Sequence, residues 1–169
     1  LWGPRDYYKS NFYANNNACF ASETGYHGCP AISSLKKFIS PDKLWPWQNN
    51  PEWGIHATDP VPGVSHLDRR ITMMADQTLE VFGKIPDNLE DFAFASQFVQ
   101  AEAKKFFVEN FRLRKGRTGG ILWWNMMDGW PQISDAIVDY YFTKKLAYHF
   151  LKRVHKELYI LPRPSDNLI

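Results

Sequence analysis

The stretch ACFASETGYHGCP, residues 18–30, constrains the fold of this chain more than any other. It opens with four apolar residues, a run that has the length of a buried β-strand and is too short for a helix. The sequence then turns polar, and Gly25 and Pro30 interrupt regular structure soon afterwards. The pattern therefore predicts a strand over residues 18–21 that runs into a loop, with the carboxylate of Glu23 where the strand stops.

A carboxylate in that position has two interpretations. In barrel proteins, a residue at the carboxyl end of a strand points into the pocket that the following loops build, and it is then available for chemistry. Alternatively, Glu23 is an ordinary loop carboxylate that caps a turn or pairs with a surface lysine. This stretch by itself favours neither.

A second stretch, GGILWWNMMDGWP at residues 119–131, repeats the arrangement. Two glycines precede a predicted strand over residues 121–124, which then gives way to polar and aromatic residues. Trp123 and Trp124 alternate faces on a strand, so at most one of them faces a given pocket. Three side chains able to contact a ligand follow the strand: Asn125, Asp128 and Trp130.

Apolar residues recur at helical spacing in four further segments. These segments predict helices over residues 32–39, 66–82, 88–115 and 144–154. Asn88 is a capping residue ahead of two acidic residues, which the helix dipole favours in a first turn. The basic residues at the C-terminal end of the helix over residues 88–115 are interpreted as a solvated helix end. Gly83 ends the preceding helix, over residues 66–82.

Residues 40–64 differ in character, with five prolines, three tryptophans and no periodicity. Such long loops are uncommon in compact domains and tend to be lids or binding loops. Trp45, Trp47 and Trp53 form either a wall on which a sugar stacks or a small core of the loop itself. The second interpretation is favoured for at least two of them, because a long ordered loop must bury something.

Composition excludes several classes of function. The net charge of +2 is too small for a general polyanion binder, so nucleic acid is a poor candidate, and no apolar run has the length of a membrane span. Cys19 and Cys29 match no metal-site or disulfide pattern, and we expect two reduced, buried thiols. Aromatic residues reach 16%, more than packing requires, and flat rings also serve as platforms for sugars or bases.

The predicted order of elements is strand end, strand, helices, strand, helix, which is an α/β arrangement. A closed eightfold barrel needs roughly 250 residues, and this chain has 169. The chain also begins with Leu1 rather than methionine, which we interpret as a fragment whose own start has been removed.

Four motifs in order resemble the last quarter of the catalytic barrel of glycoside hydrolase family 2, in its β-mannosidase-like branch. They are SETGYHGCP, FASQFVQAEAKKFFVENFR, GGILWWNMMDGWP and DYYFTKKLAYHFLKRV. The resemblance implies that residues 1–157 are the C-terminal part of a (β/α)8 TIM barrel, incomplete in this chain, with strands seven and eight and their helices. Residues 158–169 would begin a linker or a β-sandwich domain.

The resemblance also implies roles for individual residues. Glu23 matches the nucleophile of a retaining, exo-acting glycosidase that hydrolyses O-glycosidic bonds. The partner acid/base, a glutamate after an asparagine on the fourth strand, would precede this chain. Trp124 matches an aromatic platform for the innermost sugar, and Asp128 matches a sugar-hydroxyl acceptor or an orienting partner. The remaining candidates for substrate binding are Trp2, Tyr26, His27, Asn125 and Trp130.

Two departures leave the sugar open. His27 and Gly28 stand where β-mannosidases usually have Gln-Ser, and Met127 replaces a usual asparagine. A lectin-like carbohydrate-binding module and a purely structural barrel segment remain alternatives. The expected partners are a glycoside and the other barrel and β-sandwich domains, with a homo-oligomer also considered. No cofactor, metal, nucleic acid or membrane is expected, and the compartment stays open with a slight preference for the cytoplasm.

Overall fold

A computed structural model describes residues 3–4, 6–57 and 69–161. Its core is a two-stranded parallel sheet backed by helices, which confirms the α/β class. The elements in chain order are α1 (Asn11–Ala14), β1 (Phe20–Thr24), α2 (Ile32–Leu35), a 3₁₀ turn (Pro41–Lys43), α3 (Pro51–Ile55), α4 (Arg69–Phe82), α5 (Leu89–Leu113), β2 (Gly120–Trp123) and α6 (Leu146–Val154). Two strands do not close a barrel, so the TIM-barrel expectation remains a prediction.

The strands pair in parallel with one irregularity. Phe20 lies opposite Gly120 and Ala21 opposite Ile121, but the next pair joins Thr24 to Trp123. Two residues of β1 therefore face one residue of β2, which defines a β-bulge. Parallel pairing places the carboxyl ends of both strands at the same edge of the sheet.

The prediction of a fully buried strand over residues 18–21 was wrong in its bounds and its burial. β1 begins at Phe20, and the Phe20 ring is exposed. Cys19 is exposed as well, against expectation, whereas Cys29 is buried, and both thiols are free. The physical reason is that helices cover only one face of this sheet, so alternate residues of an apolar strand point away from them.

Helix α5 is the main support of the sheet and packs against α4, α6 and β2. Its start is as predicted, because the Asn88 side chain accepts a hydrogen bond of 2.9 Å from the Asp91 amide. Its basic end is not simply solvated, which corrects that expectation. The Arg112 guanidinium donates to the carbonyl oxygens of Val154, Lys156 and Glu157, so it ties the end of α6 to α5.

The other helices differ from their predicted bounds mainly at the ends. Gly83 closes α4 with a positive φ of 73°, and residues 66–68 lie outside the described part of the chain. Helix α2 ends at Leu35 and continues as turns. The last helix starts two residues late, because Lys145 is extended and buried. Residues 158–161 carry no regular structure.

Three tryptophans hold the long loop in place, but they join a core that is shared with the helices rather than a core of the loop itself. Trp47 and Trp53 are buried, and the half-buried Trp45 packs with them. All three contact the Phe92 ring of α5, with ring centroids 5.4–6.2 Å apart. This packing fixes the part of the loop that the structure describes against the helical layer. No described helix is both long and apolar enough to cross a bilayer.

Candidate active site

Glu23 and Trp124 both lie at the carboxyl edge of the sheet, Glu23 in β1 and Trp124 directly after β2. The backbone amide of Trp124 donates a hydrogen bond of 2.8 Å to the carbonyl oxygen of Thr24, so the ladder continues one step past β2. Glu23 is half-buried, and Trp124 is 51% exposed. The peptide bond between Trp124 and Asn125 is cis. A carboxylate and an open indole ring therefore share one edge.

The bulge in β1 changes which residues of the strand are buried on either side of Glu23. Ala21 and Thr24 are both buried, although residues three apart on a regular strand point to opposite faces. The extra residue lets Ser22 and Glu23 both stay off the buried face. Bulges commonly lie beside active sites, where they redirect a side chain.

The loops after the two strands meet closely at Gly25. A Cβ atom at this position would lie 2.7 Å from the Trp124 carbonyl oxygen and 2.7 Å from Oδ1 of Asp135, closer than real Cβ contacts. Only glycine allows this approach. The backbone beside Glu23 is thereby held directly against the backbone that carries Trp124.

Asp128 lies beneath the surface and is 1% exposed. Its Oδ1 accepts hydrogen bonds from the Ser134 hydroxyl at 2.5 Å and from the Gln132 amide at 2.8 Å. Burial raises the pKa of this carboxyl, while the Lys145 ammonium lowers it. Asp128 Oδ1 is thus engaged within the loop after β2, and both roles expected for this residue stay predictions.

Tyr26 and His27 are also buried, and neither forms part of an open surface. The Tyr26 hydroxyl donates to the Asp6 carbonyl oxygen at 2.6 Å, and burial raises the pKa of this phenol. His27 Nδ1 lies 3.3 Å from Oδ1 of Asp135. These contacts indicate that both side chains brace the loop after β1 from within.

Asn125 and Trp130 belong to the loop after β2. The half-buried Asn125 donates a hydrogen bond of 3.0 Å to the Met127 carbonyl oxygen. Trp130 stacks on His56, with ring centroids 5.5 Å apart, and His56 Nδ1 lies 2.7 Å from the Pro131 carbonyl oxygen. Trp130 is thus fixed by the long loop and keeps an exposed part. Trp2 lies outside the described residues.

Three of the sequence candidates, Glu23, Trp124 and Asn125, therefore share the carboxyl edge of the sheet. Sequence reasoning missed the two buried side chains that hold the loops together, Gln100 and Lys145. A glutamine in the apolar stripe of α5 was a signal for the first. The sequence contains no such signal for Lys145, because two adjacent lysines before an amphipathic helix are typical of a solvent-exposed helix start.

Two hollows in the described part of the chain lie away from this edge. One of about 490 Å³ opens beside Gly119 and Gly120 at the amino end of β2, and one of about 580 Å³ lies between the residues after α1 and the end of α5. Within residues 3–4, 6–57 and 69–161, no group of three or more His, Cys, Asp or Glu side chains is arranged to hold a metal ion.

Sequence comparison identifies relatives of known activity. The chain is 32% identical over 138 residues to a beta-mannosidase B of Aspergillus niger, covering 80% of this chain and 15% of that protein. An exo-beta-D-glucosaminidase of Arthroderma benhamiae is 30% identical over 161 residues, covering 87% and 17%. No protein-family profile matches. The chain therefore spans less than a fifth of the relatives it matches.

Solved structures agree with these relatives. A beta-D-mannosidase from Dictyoglomus thermophilum superimposes with a TM-score of 0.77 at 28% identity, over 91% of this chain and 18% of that one. An exo-chitosanase from Amycolatopsis orientalis gives 0.72 at 23% identity, over 94% and 19%, and this match concerns the fold alone.

The fold and these relatives place the chain among the glycoside hydrolase families. It belongs to the β-mannosidase-like branch of glycoside hydrolase family 2.

Proposed function

We propose that the protein containing this chain is a retaining, exo-acting β-glycosidase of the β-mannosidase kind, with Glu23 as its nucleophile. The observation that carries the proposal is the position of Glu23 on a bulge at the carboxyl end of β1, one strand away from the exposed ring of Trp124. Residues at such strand ends are the ones that face the active site in barrel enzymes.

In the proposed reaction the Glu23 carboxylate attacks the anomeric carbon and forms a glycosyl ester, while the bond to the leaving oxygen breaks. A second carboxylic acid gives its proton to that oxygen. The same group then takes a proton from water, which hydrolyses the ester and releases the sugar. Retaining enzymes hold these two carboxyl groups about 5–5.5 Å apart.

The second carboxyl group is assigned to a residue outside this chain. Asp128 is an unsuitable acid/base because it is 1% exposed and its Oδ1 already accepts two hydrogen bonds. The indole face of Trp124 is assigned to the apolar face of the bound pyranose. Which sugar fits is left open, since the relatives are named for both mannose and glucosamine.

We assign β1 and β2 to strands seven and eight of a TIM barrel. Phe20 and Leu122 support this assignment, because both are more than half exposed on the sheet face that α5 and α6 do not cover. In barrels of this kind, such inward-facing side chains fill the interior in layers. The other strands, outside this chain, would cover these two residues, and a β-sandwich domain would follow.

The test uses the full-length protein and a 2-deoxy-2-fluoro β-mannoside with a good leaving group, followed by peptide mass mapping. We expect a covalent adduct on Glu23. Glu23→Gln should lose turnover of aryl β-mannosides by on the order of 10⁴-fold or more, as loss of a nucleophile does, while it still binds the sugar. Glu80→Gln, at an exposed carboxylate of α4, is the matched control and should keep its activity.

Two results would refute the proposal. One is an adduct on any other carboxylate. The other is an unmodified protein that binds the sugar but turns over neither aryl β-mannosides nor aryl β-glucosaminides, which would indicate a carbohydrate-binding module instead.

A further inference from the structure

Two lysines in the described part of the chain are almost completely buried, Lys104 and Lys145. Lys145, the residue before α6, is 1% exposed. Lysine side chains are rarely buried to this extent unless they are paired, because removing the ammonium group from water is costly. The groups around Lys145 therefore indicate what the buried charge does.

The Lys145 ammonium joins the two loops that follow the strands. Nζ donates a hydrogen bond of 2.8 Å to the carbonyl oxygen of Gly28, after β1, and one of 3.2 Å to that of Ser134, after β2. The Gly28 amide donates to the same Ser134 oxygen at 3.2 Å. Hydrogen bonds from an ionised donor are stronger than neutral ones, so one side chain fixes the separation of both loops.

Gln100, on α5, holds the same two loops from the other side. Its Nε2 lies 2.9 Å from the carbonyl oxygen of Tyr26, in the first loop, and 3.1 and 3.2 Å from those of Asp135 and Ala136, in the second. A Cβ at Gly28 would lie 2.5 Å from Gln100 Oε1, so the loop passes close over this amide. Gln100 of α5 and Lys145, the residue before α6, thus each form hydrogen bonds with both loops.

Buried carboxylates balance the charge of Lys145. Asp128, Asp135 and Asp139 are each about 1% exposed and act on its ammonium. Burial lowers the pKa of Lys145, and these carboxylates, together with the Cys29 thiol, oppose that shift. Removing the ammonium therefore has two effects: it frees the loops, and it leaves negative charge uncompensated beneath the site.

We propose that Lys145 is a positioning residue for the glycosidase reaction, which ties the loop of Glu23 to the loop of Trp124 and so sets the distance from the nucleophile to the sugar platform. Gly28 follows Glu23 by five residues, and Ser134 follows Trp124 by ten. The inference rests on the proposed function. A displacement near 1 Å at a reacting group costs up to about 10²-fold in rate.

The experiment compares three variants of the full-length protein. Lys145→Met removes the ammonium and keeps much of the side-chain length. Lys145→Met combined with Asp139→Asn also removes one buried negative charge, at a carboxylate that is not a site candidate. Lys144→Met is the control, since Lys144 is exposed and lies over the Tyr148 ring. The readouts are kcat and KM for aryl β-mannosides and aryl β-glucosaminides, melting temperature, and hydrogen exchange at the Gly28 amide.

We expect Lys145→Met to lower kcat by about 10²-fold with a much smaller change in KM, and to speed exchange at the Gly28 amide at least tenfold. The double variant should recover melting temperature but not kcat, because its loops remain untied. Lys144→Met should match the unmodified protein in every readout.

Recovery of kcat in the double variant would mean that Lys145 acts only by balancing buried negative charge, and it would overturn the inference. A folded Lys145→Met protein whose kcat is within twofold of that of the control would also overturn it. Failure of both variants to fold would assign Lys145 to folding alone and would also overturn it. An unmodified protein without glycosidase activity would refute the proposed function instead. Exchange at the Gly28 amide would then still decide whether Lys145 ties the loops.

Discussion

Gly25→Ala gives a direct test of how closely the two site loops meet. The new methyl group would lie 2.7 Å from the Trp124 carbonyl oxygen and from Oδ1 of Asp135. To reach a contact of 3.4 Å, these atoms must retreat by about 0.7 Å. One is backbone and the other belongs to a buried carboxylate, so neither moves freely.

The expected cost follows from these contacts. Overpacking a tightly packed site typically destabilises a protein by about 1–3 kcal/mol. For a domain of 150–250 residues this corresponds to a fall in melting temperature of roughly 2–12 °C. Because the displaced backbone carries Trp124, kcat should also fall by about tenfold or more.

The assay is scanning calorimetry and steady-state kinetics on the full-length protein, following the transition of the domain that contains this chain. Gly129→Ala is the matched control, because a Cβ there meets nothing within 4 Å. We expect the control to behave as the unmodified protein. A Gly25→Ala protein with the melting temperature and kcat of the control would refute the close approach of the loops.

Two further predictions concern stability and reactivity. Asn88→Ala removes the cap of α5 and should cost about 1 kcal/mol in thermal or urea unfolding, whereas Asn88→Ser should restore most of it; equal stability of both variants would contradict the capping role. Burial raises the pKa of the Cys29 thiol from 9.0 to about 12, so its contribution to stability should be complete below pH 9 and decline as the pH rises towards 12. In the folded protein at pH 8, Cys29 should therefore resist iodoacetamide until urea is added, and rapid labelling without urea would contradict this.

The sequence was sufficient where local chemistry determines structure. A short apolar run bordered by glycine indicated that each strand exists, although not its bounds, and Asn88 located the start of α5. Both signals depend on residues that are close together in the chain, so they can be recognised from the sequence alone. The family resemblance supplied the candidate role of Glu23, which spacing by itself left open.

Long-range contacts set what the sequence could not predict. Lys145 is buried because it meets the Gly28 carbonyl oxygen, 117 residues away in the chain, and no local pattern contains that information. The burial of Asp128 likewise involves a residue outside its own stretch, because the ammonium of Lys145 acts on its carboxylate. The bulge in β1 depends on how its residues pair with those of β2. The alternation of apolar and polar residues along one strand does not contain that information.

The pairing of β1 with β2 joins residues that lie 100 positions apart, as in Phe20 with Gly120. At synthesis rates of roughly 5–20 residues per second, β1 leaves the ribosome about 5–20 s before its partner strand exists. During that interval it presents an unpaired edge and an exposed phenylalanine, features that favour association with other chains. Glu23 is thus made before its neighbours on β2, and its surroundings are completed only after the long helix α5 has been synthesised.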